Sequence, residues 1–283
     1  VANMYAQMLV AGTNVTCPGF DPDLVGRMIE EHDITVCVLV PTMINMFLNH
    51  PGTAERDLSS WRMCLYAASP IPIALLRRAM SELPCGFSQG YGMTEMSPHC
   101  TQLTPADHDK ALAGDPDGVR RLASAGTPCI GVDLEVRRPD GALCEIGEVG
   151  EVTVRGPNMM PGYWNRPVET AEAFTPDGWY RTGDLGSVDD GGYVFLVDRA
   201  KDMIVSGGEN VYTTEVENAL ASHPAVLELA VFGIPHEQWG EAVHAEVVLK
   251  DGAAATEDEL IAHCRASIAG FKVPRSITIR TDP

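Results

Sequence analysis

The sequence predicts an α/β protein in which a parallel-sheet section is followed by a β-rich section and then by a small α+β domain. Short apolar runs alternate with amphipathic stretches up to about residue 124, a pattern typical of strands and crossover helices. From about residue 125, short strands are separated by Pro-Asp-Gly, Gly-Pro-Asn and Asp-Asp-Gly-Gly turns. After Arg199, helices and strands mix again. We therefore predict three segments, residues 1–124, 125–200 and 201–283.

Each element of the first segment rests on a local pattern. Asp21 and Pro22 supply a helix N-cap and a first helical residue, and apolar residues then recur at helical spacing. The continuous apolar run over 34–40 suits a strand buried on both faces, and Pro41 opens the next helix. The predicted helices cover 21–29, 41–48 and 72–83, and the predicted strands cover 34–40, 62–67 and 85–89.

The first segment ends in residues 104–124, which are polar and rich in helix-breaking residues, so we predict a surface loop there. In the β-rich segment we expect strands at 132–137, 151–155 and 193–197. In the last segment we expect helices at 213–222 and 257–268 and strands at 227–232 and 243–249.

Composition argues against several classes of partner. Asp and Glu number 39 against 20 Lys and Arg, for a formal net charge of −19. Such a charge repels nucleic-acid phosphates and anionic lipid, so neither partner is expected. Any nucleotide site would need Mg²⁺ and local cations to offset it.

Cysteine usage and hydropathy indicate the cellular compartment in which the protein is expected. The 8 cysteines form no C-x-x-C pair, which argues against a zinc ribbon or a disulfide framework and favours reduced core residues. Residues 1–5 lack a basic leader, and the apolar run over 34–48 is interrupted and too short to span a bilayer. We expect a soluble, cytoplasmic protein.

Residues Tyr91–Glu95, with the sequence YGMTE, follow a predicted strand end, where ligands bind in parallel α/β sheets. Tyr91 offers an aromatic face for a base, and Gly92 allows close backbone approach. Thr94 offers a hydroxyl for a phosphate oxygen, and Glu95 a carboxylate for Mg²⁺. A glycine-containing loop at a strand end is, however, more often a simple turn.

A second group of candidates surrounds Asp184, which we predict on a turn with two acceptor oxygens suited to the vicinal hydroxyls of a ribose. A turn aspartate that binds its own backbone is the alternative. Arg199 would either add positive charge beside the nucleotide or lie on the surface. Lys201 lies between two parts of the chain with different compositions, which suits a hinge residue.

Small residues mark two further places. Ala67, Ala68 and Ser69 follow a predicted strand and leave room for a flat ring against the backbone, although a tight turn is an equal alternative. Gly207 and Gly208 would let a thin ligand approach the backbone, or would form a β-turn before the helix at Thr213.

Together these motifs resemble the adenylate-forming enzymes, the superfamily of acyl-CoA synthetases, luciferases and peptide-synthetase adenylation domains. The resemblance rests on Tyr91–Glu95, Tyr180–Leu185, Asp198–Asp202 and Ser206–Asn210, and it covers nearly all 283 residues. It implies that the first two segments are parts of a large adenylation domain and that the third is a small mobile domain. Ser206–Asn210 and Trp239–Glu241 most resemble fatty-acid or aryl acyl-CoA synthetases.

The resemblance also implies a role for each candidate. Tyr91 would stack on adenine, with Gly92 beside it and with Ala67, Ala68 and Ser69 as the adenine wall. Thr94 would contact the α-phosphate and Glu95 would support Mg²⁺. Asp184 would bind ribose, with Arg199 beside the nucleotide. Lys201 would be the hinge, and Gly207 and Gly208 would line the CoA tunnel.

The implied activity is the ATP-dependent conversion of a carboxylic acid, through an acyl-adenylate, to an acyl-CoA thioester. Two alternatives stay open: an adenylation domain that loads a carrier protein, and a non-catalytic fragment that binds a nucleotide or acyl-adenylate. The family's phosphate-cradling loop and its catalytic lysine have no counterpart in these residues, so we expect an interior section of a longer enzyme that is inactive alone. The oligomeric state and the acid are not readable from the sequence.

Overall fold

Three β-sheets, each with its own apolar core, organise residues 2–280, the part of the chain described by the computed structural model. The first sheet is five-stranded, the second four-stranded and the third five-stranded. This order confirms the predicted α/β class. Within residues 2–280, no helix is long and apolar enough to cross a membrane.

The first sheet has the order β1-β2-β3-β4-β5, and β1, β2 and β3 are parallel as predicted. Burial of β1 on both faces was a wrong expectation, because β1 is an edge strand and its Val36 and Val38 are exposed. Strands β4 and β5 are antiparallel additions, so this sheet extends past residue 124. The elements are α1 (Ala2–Leu9), α2 (Pro22–His32), β1 (Val36–Leu39), α3 (Pro41–Asn49), β2 (Met63–Ala67), α4 (Ile73–Glu82), β3 (Gly86–Tyr91), β4 (Thr101–Leu103) and β5 (Thr127–Pro128).

The surface loop predicted over 104–124 is wrong, because this segment forms helices α5 (Pro105–Leu112) and α6 (Pro116–Arg121). Thr104 and Asp107 form a reciprocal capping box at the start of α5, and Asp115 caps α6 with its side chain. The polar and proline residues interpreted as helix breakers are therefore helix starts.

The second sheet is an antiparallel meander in the order β6-β7-β8-β9. Asp184 lies inside β8, paired with Arg199 of β9, so its predicted position on a turn is wrong. The apolar alternation of this strand is interrupted by Thr182, Gly183 and Asp184, which concealed it in the sequence. The elements are β6 (Asp133–Arg137), β7 (Gly150–Arg155), α7 (Pro167–Ala173), β8 (Tyr180–Val188) and β9 (Val194–Arg199).

The third sheet belongs to the C-terminal segment, where the predicted helices and strands are confirmed with small shifts in their bounds. Strands β10, β11 and β14 were not predicted, being only three to five residues long. The helix at Thr213 is tied to β9, because its backbone N–H and its hydroxyl both donate to the Asp198 carboxylate. The elements are β10 (Ile204–Ser206), β11 (Glu209–Val211), α8 (Thr213–Ala221), β12 (Val226–His236), β13 (Gly240–Leu249), α9 (Glu257–Arg265) and β14 (Ser276–Arg280).

Candidate nucleotide-binding site

Tyr91 and Asp184 meet where the end of β3 faces β8. The Tyr91 hydroxyl donates a hydrogen bond to Asp184 Oδ2 at 2.6 Å. Burial, together with the adjacent Asp184 charge, raises the pKa of Tyr91, so the phenol stays protonated as a donor. Burial also raises the pKa of Asp184, although the Tyr91 hydrogen bond and the Arg199 charge oppose this shift. The first and second sheets are thus joined by a partly buried polar pair.

Arg199 places a positive charge beside this pair. Its Nε lies 3.6 Å from Asp184 Oδ1, and its side chain is 64% exposed whereas that of Asp184 is 14% exposed. Such an exposed guanidinium contributes little to folding stability. Its charge is accessible to an anionic ligand near the carboxylate.

Thr182 anchors the backbone of the Asp184 segment. Its hydroxyl donates to the Val152 carbonyl oxygen of β7 at 2.7 Å and accepts from the Asp184 N–H at 3.0 Å. The Asp184 carboxylate is therefore carried by a strand fixed on both sides, by β7 and by β9.

The small residues at the end of β2 lie next to the Tyr91 motif. Ala67 is the register partner of Gly90 in the parallel pair β2 and β3. Ala68 has a φ of 79°, a left-handed conformation that favours glycine over residues with a Cβ. The turn of Ala67, Ala68 and Ser69 therefore borders the strand that ends at Tyr91, where a flat ring could lie.

Position 92 has no room for a side chain, because other backbone atoms of the protein lie close to Gly92. A methyl group at this position would lie 1.9 Å from the Pro98 carbonyl oxygen and 3.0 Å from the Cys100 N atom. The Cys100 N–H donates to the Tyr91 carbonyl at 2.8 Å, which closes the loop between β3 and β4. Absence of a side chain at Gly92 thus shapes the loop that carries Thr94 and Glu95.

Thr94 and Glu95 begin a single 3₁₀ turn, Thr94–Met96, which is separated from the end of β3 by two residues. Thr94 is exposed, and Glu95 Oε1 accepts a hydrogen bond from the Tyr163 hydroxyl at 3.0 Å. Within residues 2–280, no group of three or more His, Cys, Asp or Glu side chains could hold a metal ion. Mg²⁺ is often held by one or two carboxylates plus substrate phosphates, so this donor set fits Mg²⁺ that arrives with a nucleotide.

Lys201, Gly207 and Gly208 lie in other parts of the structure. Lys201 is exposed in the turn between β9 and β10. Gly207 and Gly208 form the two-residue turn of the β10–β11 hairpin, with φ values of 62° and 86°. The Gly207 N–H donates to the Trp239 carbonyl at 2.9 Å. The structure therefore brings Tyr91, Asp184 and Arg199 together, with Ala67 beside the end of β3, and leaves the two glycines in the β10–β11 hairpin.

Sequence reasoning did not identify Thr182, Asn158 or Tyr163 as parts of the site. Asn158 Nδ2 donates to the carbonyls of Met96 and His99, at 2.8 and 3.0 Å. The Tyr163 hydroxyl contacts Glu95. The sequence PGYW at Pro161–Trp164 was the available signal, but a local pattern does not reveal which carboxylate the tyrosine contacts.

Two segments of the chain match known protein families. Residues 1–164 match the AMP-binding enzyme family, and residues 215–282 match the AMP-binding enzyme C-terminal domain. The chain belongs to this family, which confirms the resemblance drawn from its motifs.

Relatives and solved structures agree with this assignment. The chain is 42% identical over 270 residues to a feruloyl-CoA synthase of Amycolatopsis, covering 95% of this chain and 52% of the relative. It is 42% identical over 250 residues to a medium/long-chain-fatty-acid–CoA ligase of Mycobacterium tuberculosis, covering 88% and 42%. The o-succinylbenzoate CoA synthetase of Bacillus subtilis, solved with its acyl-adenylate intermediate, superposes with a TM-score of 0.88 at 33% identity, covering 99% and 54%. The chain spans about half the length of these proteins.

Proposed function

We propose that the protein to which these residues belong activates a carboxylic acid with ATP and transfers the acyl group to CoA. The observation that carries this proposal is the meeting of Tyr91, Asp184 and Arg199 beside the Thr94–Met96 turn. An aromatic face, a partly buried carboxylate and an accessible guanidinium are the groups that suit a base, a ribose and a phosphate. The family membership supports the same function.

Each residue receives a distinct role in this scheme. The Tyr91 ring stacks on adenine against the wall of Ala67, Ala68 and Ser69, next to Gly92. The free lone pairs of the Asp184 carboxylate accept hydrogen bonds from the ribose hydroxyls. Thr94 contacts the α-phosphate, and Arg199 adds positive charge near it. Glu95 would hold the Mg²⁺ that accompanies ATP, and the charge of that ion would neutralise part of the phosphate charge.

The proposed reaction has two steps. A carboxylate oxygen of the acid attacks the α-phosphorus, and the bond from that phosphorus to the bridging oxygen of pyrophosphate breaks. The CoA thiolate then attacks the acyl carbon, and AMP leaves with the carboxyl-derived oxygen. The exposed Lys201 turn acts as the hinge between the steps, and Gly207 and Gly208 admit the pantetheine arm of CoA.

Aryl and fatty acids are the proposed substrate classes, because the relatives include a feruloyl-CoA synthase and a fatty-acid–CoA ligase. The described cysteines are all free thiols, which supports a reducing compartment such as the cytoplasm. No nucleic-acid partner is proposed for a chain with a net charge of −19.

The test measures both steps in the full gene product. Acid-dependent exchange of pyrophosphate into ATP reports adenylation, and CoA-dependent release of AMP reports thioester formation. With ferulate and a C8–C16 fatty-acid series, we expect both activities for at least one acid and their loss in Asp184→Ala. Exchange without CoA-dependent release would favour loading of a carrier protein. AMP binding without exchange for any acid would favour a non-catalytic role.

A further inference from the structure

Residues 158–163, the clamp loop, wrap around the turn that carries Glu95. The Asn158 side chain donates to the carbonyls of Met96 and His99, at 2.8 and 3.0 Å. The Met160 N–H donates to the Glu95 carbonyl at 2.8 Å. The backbone of Glu95 and that of the following residues are thus held by one loop from the second sheet.

The side chain of Glu95 is held by the same loop. The Tyr163 hydroxyl donates to Glu95 Oε1 at 3.0 Å and lies 3.4 Å from the Tyr180 hydroxyl. A phenol has one proton to donate, and the carboxylate is a charged acceptor, so the bond to Glu95 is the stronger of the two. Binding one carboxylate oxygen fixes the rotation of the group and so directs the other oxygen.

We propose that Tyr163 is a positioning residue that acts through Glu95, holding its carboxylate in the orientation that binds the Mg²⁺ of the nucleotide complex. This inference rests on the proposed role of Glu95 in ATP binding. Tyr163 is 37% exposed, and it touches neither the acid nor the nucleotide in this scheme. Its contribution is pre-organisation, since a carboxylate already oriented loses less rotational freedom when the metal binds.

A purely structural role for Tyr163 makes a different prediction. The backbone of Tyr163 is anchored by its N–H, which donates to Thr170 Oγ1 at 2.9 Å. That bond and the ring survive in Tyr163→Phe, which removes only the hydroxyl. If the residue merely supports its loop, Tyr163→Phe leaves metal binding unchanged.

Tyr193 offers a matched control. Its hydroxyl also donates to a carboxylate, Asp107 Oδ1, at 2.5 Å, but this pair joins the residue just before β9 to α5. Tyr193→Phe therefore removes the same kind of hydrogen bond outside the proposed site. We expect it to lower the melting temperature without altering metal binding.

The experiment measures Mn²⁺ binding by electron paramagnetic resonance in the full gene product saturated with a non-hydrolysable ATP analogue. Parent, Tyr163→Phe, Glu95→Gln, the double variant and Tyr193→Phe are compared. We expect Tyr163→Phe to weaken Mn²⁺ binding by about two- to tenfold, the range that corresponds to the net contribution of one typical hydrogen bond. The analogue's affinity without metal should be unchanged, and the double variant should match Glu95→Gln.

The outcomes separate this inference from the proposed function. Normal Mn²⁺ affinity in Tyr163→Phe together with weakened binding in Glu95→Gln would overturn the role of Tyr163 alone. Additive losses in the double variant would also overturn it, because Tyr163 would then act independently of Glu95. Normal affinity in both single variants would remove Glu95 from the metal site and the inference with it.

Discussion

The Tyr91 hydroxyl donates to Asp184 Oδ2 at 2.6 Å, joining two residues that lie 93 positions apart in the chain. The contact connects the end of the parallel sheet to the middle of an antiparallel strand. It also means that the tyrosine has two separable features, a ring that could stack on a base and a hydroxyl that orients the carboxylate proposed to bind ribose.

Substitutions at Tyr91 should separate these features. We expect Tyr91→Phe to weaken AMP binding by about threefold, because it removes a hydrogen bond that orients Asp184 but keeps the ring. Tyr91→Ala should cost roughly 1–3 kcal/mol, about five- to 150-fold, through lost stacking. Calorimetric titration with AMP measures both. Equal losses in the two variants would assign the whole effect to the hydroxyl.

Nucleoside binding should depend on the protonation of Asp184. Its pKa is raised by burial, so the carboxyl takes up its proton above the ~3.9 of an ordinary aspartate. Adenosine affinity is therefore expected to fall, as the pH is lowered from 7, at a higher pH than an unperturbed aspartate would give. Adenosine is used because it has no phosphate that titrates in this range.

The raised pKa of Asp184 also affects folding stability, in the direction opposite to its effect on nucleoside binding. Raising the pH strengthens binding but lowers the free energy of unfolding. A buried carboxylate with a raised pKa destabilises the folded state above its unfolded pKa, so Asp184→Asn should unfold at an equal or higher denaturant concentration at pH 7. Asp184→Asn should also remove the pH dependence of adenosine binding. Retention of that dependence in the variant would show that another group titrates.

Two neighbouring glycines should respond differently to the same substitution. A methyl group at Gly92 would lie 1.9 Å from a backbone atom, the Pro98 carbonyl oxygen, whereas at Gly90 it would meet the His99 ring, 2.3 Å from Nδ1. The exposed His99 side chain can rotate away, but the backbone cannot move without disturbing the Thr94–Met96 turn.

We therefore expect Gly92→Ala to lower the free energy of unfolding by more than about 2 kcal/mol and to abolish AMP binding. Gly90→Ala should change unfolding by less than about 1 kcal/mol. Urea denaturation and AMP titration are the measurements. A tolerated Gly92→Ala would mean that the loop between β3 and β4 adapts.

Folding stability should fall at acid pH because of His108. Its Nδ1 lies 2.7 Å from the Thr104 carbonyl, which can only accept, so Nδ1 carries the proton and Nε2 accepts from the Tyr66 hydroxyl at 2.9 Å. Burial lowers the pKa of His108. The neutral ring is therefore the form that the folded core holds.

The free energy of unfolding depends on pH here because the pKa of His108 differs between the folded and unfolded states. Because the folded pKa of His108 is depressed, its contribution to stability is complete above the unfolded value of about 6.5 and is lost as the pH falls below it. Urea unfolding between pH 7.5 and 5 should show this loss in the parent. His108→Gln should flatten the curve, whereas the exposed His32→Gln should leave it unchanged. An unchanged slope in His108→Gln would assign the acid lability elsewhere.

The hinge proposed at Lys201 can be tested with proline. In this turn the N–H groups of Asp202 and Met203 both donate to the Arg199 carbonyl, and proline at position 201 removes neither hydrogen bond. In the full gene product, Lys201→Pro is expected to retain pyrophosphate exchange and to lose CoA-dependent AMP release. Lys201→Ala should retain both activities, and a proportional fall of both in the proline variant would indicate a structural role.

The sequence by itself determined the local elements, because helix caps and hydrophobic periods involve residues only a few positions apart. Asp21 caps α2 as predicted, accepting from the Leu24 N–H at 2.8 Å. The run before Pro41 is a strand, and the motif residues supply the chemical groups that a nucleotide needs. The same local logic failed over 104–124, where prolines and aspartates start helices instead of breaking them.

Tertiary structure alone decided which of these groups meet. Strand pairing sets Asp184 opposite Arg199 inside β8, and sheet packing brings Tyr91 to Asp184 and Tyr163 to Glu95, the last two residues being 68 positions apart. Such contacts depend on the register and relative placement of whole elements. No local pattern encodes them, because each side chain would be equally compatible with its own strand or loop if its partner lay elsewhere.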